Sequence, residues 1–239
     1  IHFPYHDRRR IDAFLAYLAH VKPWCVILGG DIFDFYSLSS YGVEPARLTD
    51  TLQGEFDSAR HFFAEVAKHA QHVIFMQGNH EERGFRKIRE VPGLHGLAAL
   101  DLKRMADMPE KFQVFPHLTK LKLGPRYWFH GTIAGGHVAR KNYDRIREPC
   151  TMGHAHVSTF WEVSHPLTGD VHRSLSSGHM CDVRQARYVD HPGWMSGFVA
   201  SELHRAVDTS GRLRWFDRAE AINFGASYAI ASHGRVFKG

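Results

Sequence analysis

The stretch "WCVILGGDIFD", Trp24 to Asp34, sets the terms of the fold. Its first half is a short apolar run rich in β-formers and closed by two glycines, the pattern of a buried strand that ends in a tight turn. Asp31 and Asp34 follow at once, so two carboxylates stand just beyond the carboxyl end of that strand. Upstream, "RRRIDAFLAYLAHV" (Arg8 to Val21) brings Ile11, Phe14, Leu15 and Leu18 onto one helical face, and Lys22-Pro23 ends it. Downstream, "EFDSARHFFAEVAKHA" (Glu55 to Ala70) reads as a second helix with Phe62, Phe63 and Val66 inward, followed by the strand "HVIFMQG" (His72 to Gly78). The opening, "IHFPYHD" (Ile1 to Asp7), reads as the end of a strand that delivers His2, which makes the pattern βαβαβ.

Further along, Leu94 to Glu110 reads helical, and "FQVF", "LTKLKL" and "RYWFHG" alternate like strands. "VARKNYDRIRE" (Val138 to Glu148) is a polar helix that leads into the short strand "CTMGH". Beyond His156 the texture is β, with "STFWEVSHP", "DVHRSLSS", "SGFVASEL" and "RLRWFDR" separated by Gly, Pro and Asp turns. One α/β domain over residues 1–239 is expected, mostly β from about residue 157 onward.

With 239 residues, 44% of them hydrophobic, the chain is long enough to bury a sizeable core. No run approaches the ~18 to 20 apolar residues that span a bilayer, and the start lacks the basic-then-apolar pattern of a secretory signal, so a cytoplasmic location is expected. Cys25, Cys150 and Cys181 are far apart and form no CxxC, which suggests buried thiols rather than disulfides or a thiolate zinc site. Thirty Lys plus Arg against twenty-five Asp plus Glu leave +5, a mild excess that suits an anionic partner. Nineteen histidines are the larger anomaly, because imidazole is the commonest metal ligand.

Four places set His, Asp or Asn beside glycine at the end of an expected strand: "GGDIFD" (Gly29 to Asp34), "GNHE" (Gly78 to Glu81), "FHG" (Phe129 to Gly131) and "GHAH" (Gly153 to His156). In open α/β sheets ligands bind beyond the carboxyl ends of the strands, where glycine lets the chain turn sharply. Carboxylate oxygens, an amide oxygen and imidazoles together suit Mn²⁺, Fe or Zn²⁺ better than metals that prefer thiolates. Taken singly, each motif is an ordinary turn or cap. Four in series, each after an apolar run and each carrying ligand-type residues, point to a shared site.

The set resembles the calcineurin-like metallophosphoesterases, whose pattern is D-x-H, G-D-x-x-D, G-N-H-[ED], a His usually followed by Gly, and G-H-x-H. The chain matches the last four as Gly30 to Asp34, Gly78 to Glu81, His130-Gly131 and Gly153 to His156. The stretch "YVDHPGWMSGF" (Tyr188 to Phe198), with Trp194, is similar to phage-encoded and bacterial members of the superfamily. The resemblance implies an α/β fold of two packed mixed β-sheets flanked by helices, the four-layer αββα metallophosphoesterase fold, with two divalent metals at the strand ends. It implies that Asp31 bridges the metals, that Asn79, His130 and His154 complete one, and that His2 and His156 serve the other. His80 then sits over the phosphoryl group as a catalytic residue, with Asp34 holding its imidazole. The implied reaction is phosphoester hydrolysis by in-line attack of a hydroxide held between two cations, Mn²⁺ by preference with Fe or Zn²⁺ as alternatives, roughly 3.5 to 4 Å apart. Ile1 and His2 supply only the last two positions of D-x-H, so the resemblance places an aspartate directly before Ile1 and makes the first metal weak without it.

The phosphoprotein-phosphatase branch carries Arg-Gly directly after G-D-x-x-D, whereas Phe35-Tyr36 follow here. A missing guanidinium removes bidentate capture of a dianionic monoester. The leading expectation is therefore a phosphodiesterase or nuclease acting on nucleic acid, DNA included, or on a nucleotide. A phosphomonoesterase or protein phosphatase is the alternative, and a metal-poor binding module the third. Phe35, Tyr36 and Tyr41 stand close to the metal motif in sequence, where aromatics either stack a base or cover the core. "EERGFRKIRE" (Glu81 to Glu90) and "ARKNYDRIRE" (Ala139 to Glu148) bring cations, Arg83 among them, to the same rim, as solvated helix faces or as contacts to a phosphate backbone.

Overall fold

The computed structural model describes residues 1–39, 50–167, 169–185, 193–225 and 227–239; Tyr41 and residues 188–192 of the stretch around Trp194 lie outside them. Asp7 caps helix α1 (Arg8–Val21) by accepting the Arg9 N–H, and Lys22 closes it in the left-handed conformation. Strand β1 (Cys25–Leu28) comes next. The hydroxyl of Thr51 accepts the Gly54 N–H to start α2 (Leu52–His69), which leads into β2 (His72–Met76). Helix α3 (Asn79–Arg89) begins three residues after that strand.

The helix expected over Leu94 to Glu110 is only four residues long, α4 (Leu102–Met105), preceded by 3-10 turns at Pro92–Leu94 and Ala98–Leu100. Leu94 and Leu97 remain exposed, so no apolar stripe is buried there to hold a longer helix, and Gly93 and Gly96 weaken it further. Strand β3 (Phe112–Phe115) then completes a parallel sheet in the order β1-β2-β3. Side chains alternate across it. Val26, Leu28, Val73 and Phe75 share a core with Phe14 and Leu18 of α1 and Phe62, Phe63 and Val66 of α2, while Ile74 and Met76 belong to a second core.

The second sheet takes β4 (Leu121–Leu123), β5 (Arg126–Phe129), β6 (Cys150–Met152), β7 (Thr159–Ser164) and β8 (Val171–Ser176) in the order β4-β5-β6-β8-β7. Its central pairs are parallel and its outer pairs antiparallel. Phe129, Cys150 and Met152 pack with Ile74 and Met76, so the two sheets share an apolar layer, and Val138 of α5 (Val138–Ile146) joins it. A long antiparallel ribbon, β9 (Gly197–Val207) with β10 (Leu213–Asn223), and a short hairpin, β11 (Ile230–Ser232) with β12 (Arg235–Phe237), complete a mixed α/β fold with five α-helices among the described residues. None of these helices is long and apolar enough to cross a membrane. Cys150 and Cys181 are buried and Cys25 half-buried, all as free thiols.

The ribbon is tied to the second sheet by a buried ion pair. Arg126, 1% exposed, donates through Nε to Asp217 Oδ2 (2.7 Å) and through Nη1 to the Cys150 carbonyl (2.9 Å), the Thr151 hydroxyl (3.1 Å) and the Arg173 carbonyl (3.0 Å). A guanidinium so far from water is tolerable only when its donors are taken up in this way. A cavity of about 600 Å³ lies behind the Gly29-Gly30 turn, lined by Val26 and Leu28 of β1, Met152, His179, and Phe198 and Ala200 of β9.

One buried carboxyl stands apart. Glu55 of α2 accepts the Phe35 N–H through Oε2 (2.7 Å), while Oε1 has no hydrogen-bond partner among the described residues. Burial, reinforced by the charges of Asp34 and Glu81 and opposed by the Phe35 N–H, pushes its pKa up to about 8. The folded chain therefore keeps a proton that the unfolded chain releases, and stability is lost as pH rises from the ordinary carboxylate range through about 8. Glu55→Gln, which keeps an acceptor for Phe35, is expected to remove that dependence. Its urea midpoint should gain on that of the parent chain between about pH 5 and about pH 8, and a gain independent of pH refutes the assignment.

Candidate metal centre

The carboxyl ends of β1, β2, β5 and β6 each hand over to one of the four glycine motifs, and the motifs converge. A methyl group at Gly30 would lie 2.3 Å from His130 Nδ1, and one at Gly78 would lie 2.2 Å from Asp31 Oδ1. Only glycine lets these turns close on one another. The opening stretch runs beside them in strand-like fashion. His2 N–H donates to the Asp31 carbonyl (3.0 Å), Phe3 N–H to the Ile32 carbonyl (2.7 Å), and Asp34 N–H to the Phe3 carbonyl (3.0 Å), which brings His2 to the site.

Asp31, Asn79, His130 and His154, read from the sequence as one ligand set, meet at the far end of these turns. Asn79 Oδ1 lies 3.0 Å from His130 Nε2 and 2.9 Å from His154 Nδ1; those two nitrogens are 3.2 Å apart, and Asp31 Oδ2 is 3.3 Å from His130 Nε2. His130 Nδ1 is 2.8 Å from the Gly29 carbonyl oxygen, which only accepts, so Nδ1 carries the proton and Nε2 is the nitrogen left to bind. Metal bonds of about 2.1 Å place neighbouring ligand atoms about 3.0 to 3.4 Å apart in octahedral or tetrahedral geometry, the spacing seen among these atoms. Burial works against charge on His130, but Asp31 beside it draws its pKa up; burial alone would raise Asp31, yet His130 and His80 hold it well below the usual carboxylate range. The proton that this pair shares is one that a cation displaces.

His2 and His156 meet through their Nε2 atoms at 3.1 Å. His2 Nδ1 is 3.0 Å from Asp34 Oδ2, which again fixes the proton on Nδ1 and turns Nε2 toward the centre. Burial and the nearby His80 lower the His2 pKa to about 4, and burial with His2 lowers His156 well below the usual value, so both are neutral donors near neutral pH. Ligand atoms of His2, Asp31 and His80 also come within 4.8 Å of one another, which sets His80 closer to this group than the sequence alone indicates. Trp194 packs edge-on against His156, with ring centroids 4.3 Å apart.

The relation of Asp34 to His80 differs from the expected one. His80 Nδ1 is held by the main-chain carbonyl of Asp34 (2.7 Å), and the carboxylate, 3.6 Å from that nitrogen, pairs instead with His2. Burial opposes ionisation of Asp34, but the His2 hydrogen bond and the charges of His80 and Arg83 keep its pKa low. Phe35 is 2% exposed and packs on Phe33 and Phe56, so it belongs to the core and is out of reach of a substrate. Tyr36 is half-buried, in the 3-10 turn Tyr36–Leu38. Arg83 of α3 does reach the site, through the Asp34 carbonyl (3.1 Å) and His80 Nε2 (3.2 Å).

The residue that the sequence reading left without a role is Glu81. Fully buried, its carboxylate accepts four main-chain N–H groups, Ile32 (2.7 Å) and Phe33 (2.9 Å) on Oε1, Gly78 (2.7 Å) and Asp31 (3.0 Å) on Oε2. It staples the turn after β1 to the start of α3, and its place in "GNHE" is the only sequence signal that marks it. Four of the candidate ligand residues are held in the left-handed region: His2 (φ 61°), Asp31 (φ 51°), His154 (φ 58°) and His156 (φ 56°). Such backbone costs roughly 1 kcal/mol or more per residue and gathers at functional sites. No protein-family model, curated protein or solved structure matches the chain.

Proposed function

We propose that the protein is a metal-dependent phosphoester hydrolase of the four-layer αββα kind, acting on a phosphodiester in nucleic acid or a nucleotide. The observation that carries it is the convergence of ligand-type atoms at metal-ligand spacing: His130 Nε2, His154 Nδ1, Asn79 Oδ1 and Asp31 Oδ2 on one side, His2 Nε2 and His156 Nε2 on the other. Imidazole nitrogens, an amide oxygen and a carboxylate oxygen gathered in one buried place are the ligand set of a hard or borderline divalent cation. Asp31, placed between the groups, would be shared by two divalent ions. The layering is supported by α1 and α2 sharing one core with the first sheet and by α5 packing against β6, β7 and β8 of the second.

When bound, the ions would neutralise phosphoryl oxygens and activate a water for in-line attack. The chain's own residues do the rest. Gly30 and Gly78 leave room for Asp31, Glu81 fixes the turns, and the Asp34 carbonyl holds His80 Nδ1–H so that Nε2 is the atom that would take up a proton from solvent and pass it to the departing alkoxide.

The test is hydrolysis of bis-p-nitrophenyl phosphate and of DNA by the Mn²⁺-loaded chain, beside p-nitrophenyl phosphate. Diester turnover that disappears on chelation and in His80→Ala supports the reading. Faster turnover of the monoester selects a phosphomonoesterase or protein phosphatase instead. Less than one bound ion per chain, with no hydrolysis in added Mn²⁺, selects a binding module and defeats the proposal.

A further inference from the structure

We propose that Arg83 is the residue that recognises the phosphoryl group, a role that rests on the phosphoesterase reading of the centre. The sequence has phenylalanine where a guanidinium would follow Asp34, and Phe35 is committed to the core. A guanidinium nevertheless reaches that corner, from one turn along α3. Arg83 Nη1 donates to the Asp34 main-chain carbonyl (3.1 Å) and Nη2 to His80 Nε2 (3.2 Å), the nitrogen opposite the one that Asp34 holds.

Three features separate Arg83 from a cation that merely decorates a helix. First, Lys87 and Arg89 of α3 are taken up in local ion pairs with Glu90 and Glu82, whereas Arg83 has no carboxylate within ion-pair distance among the described residues and, unlike Arg86, which also lacks one, it reaches His80. Second, its two acceptors are neutral, a peptide carbonyl and an imidazole lone pair. A phosphoryl oxygen is a much stronger acceptor for a planar guanidinium than either. Third, it lies against His80, whose donor atom groups with those of His2 and Asp31, so a small swing of the guanidinium is enough to reach an anion held there. Arg83 thus occupies His80 Nε2. An anionic oxygen draws it off and leaves that nitrogen facing the ester. Because the guanidinium offers two parallel N–H donors, it grips a terminal phosphate, with three free oxygens and up to two charges, better than a diester, with two oxygens and one charge, and so restores the monoester capture that Phe35 lacks.

Isothermal titration of inorganic phosphate into the Mn²⁺-loaded chain tests this directly, with bound metal measured on the same samples. Arg83→Ala should weaken phosphate binding roughly 10- to 100-fold at unchanged metal content, and Arg83→Lys should recover only part, since an ammonium cannot serve two acceptors in one plane. In turnover, the loss should fall mainly on KM, should be larger for p-nitrophenyl phosphate than for its diester, and should not grow with leaving-group pKa. The loss in a His80 variant should grow with it. If Arg83→Ala lowers the unfolding midpoint, Arg83→Gln, which keeps a donor for the Asp34 carbonyl, carries the comparison. Phosphate affinity unchanged in the metal-replete variants overturns the proposal, as does a metal-loaded parent chain that binds no phosphate. Arg83-dependent binding in a chain that hydrolyses neither ester would remove the phosphoesterase reading and leave the anion site standing.

Discussion

Asp31→Asn is expected to abolish hydrolysis, by about a thousandfold or more, equivalent to about 4 kcal/mol of transition-state stabilisation, and to leave the fold intact. Asparagine keeps the shape of the side chain and the oxygen that accepts the His80 N–H at 3.0 Å. What it removes is the charge shared between the two donor groups, and it can set an amide N–H₂ where an oxygen faces His130 Nε2. A single substitution should therefore empty both positions. Metal analysis of Asp31→Asn should find the bound ions lost together, with circular dichroism and urea midpoint close to those of the metal-free parent chain. Retention of two ions would show that Asp31 is not the bridge.

Glu81→Gln should be the most damaging change to stability at the site, with a loss of about 3 kcal/mol or more and a melting point lower by about 10 °C. A carboxylate offers two oxygens, and here each accepts two N–H groups, Oε1 both from the turn after β1 and Oε2 one from that turn and one from Gly78 before α3. An amide keeps one oxygen and turns a pair of donors toward the other pair. Two buried N–H groups then have no acceptor, each at a cost of about 1 to 3 kcal/mol, out of a total stability of about 5 to 15 kcal/mol. Metal affinity should fall as well, because Asp31 and Gly78 hang from the same oxygen. A melting point within 2 °C of the parent, measured at matched metal content, would show the staple to be dispensable.

Local pattern carried much of the fold. The apolar stripe of α1, the inward phenylalanines of α2 and the β-rich runs of β1 and β2 announce themselves over a handful of residues, and each is found where periodicity places it. The segment from Leu94 to Glu110 misleads because only its later part, with Leu102, Ala106 and Met108, has a core to bury against, while Leu94 and Leu97 stay exposed, and nothing local reveals that. The glycine motifs marked the ends of four strands, and the seven candidate ligand and catalytic residues read from them, with His2 of the opening stretch, are neighbours in the fold. Their pairing was less legible. That Asp34 gives its carboxylate to His2 and its carbonyl to His80 depends on the opening stretch lying alongside residues 31–34, a register no spacing encodes. Glu81 and Arg126 were missed for the same reason: every group they bind is distant in sequence or belongs to the main chain.

The left-handed backbone at His2, Asp31, His154 and His156 also limits which ligands the centre can exchange. Among non-glycine residues, that conformation is least costly to Asn, Asp and His, the same short polar side chains that supply hard oxygen and imidazole donors. Two filters thus overlap at each of these positions, one on donor chemistry and one on chirality. Replacements that look conservative to a coordination chemist, such as Asp31→Glu or His154→Cys, fail the second filter even where they pass the first. On the proposed reading, the repertoire of metals would be set as much by the handedness of four peptide units as by the atoms that touch the ion.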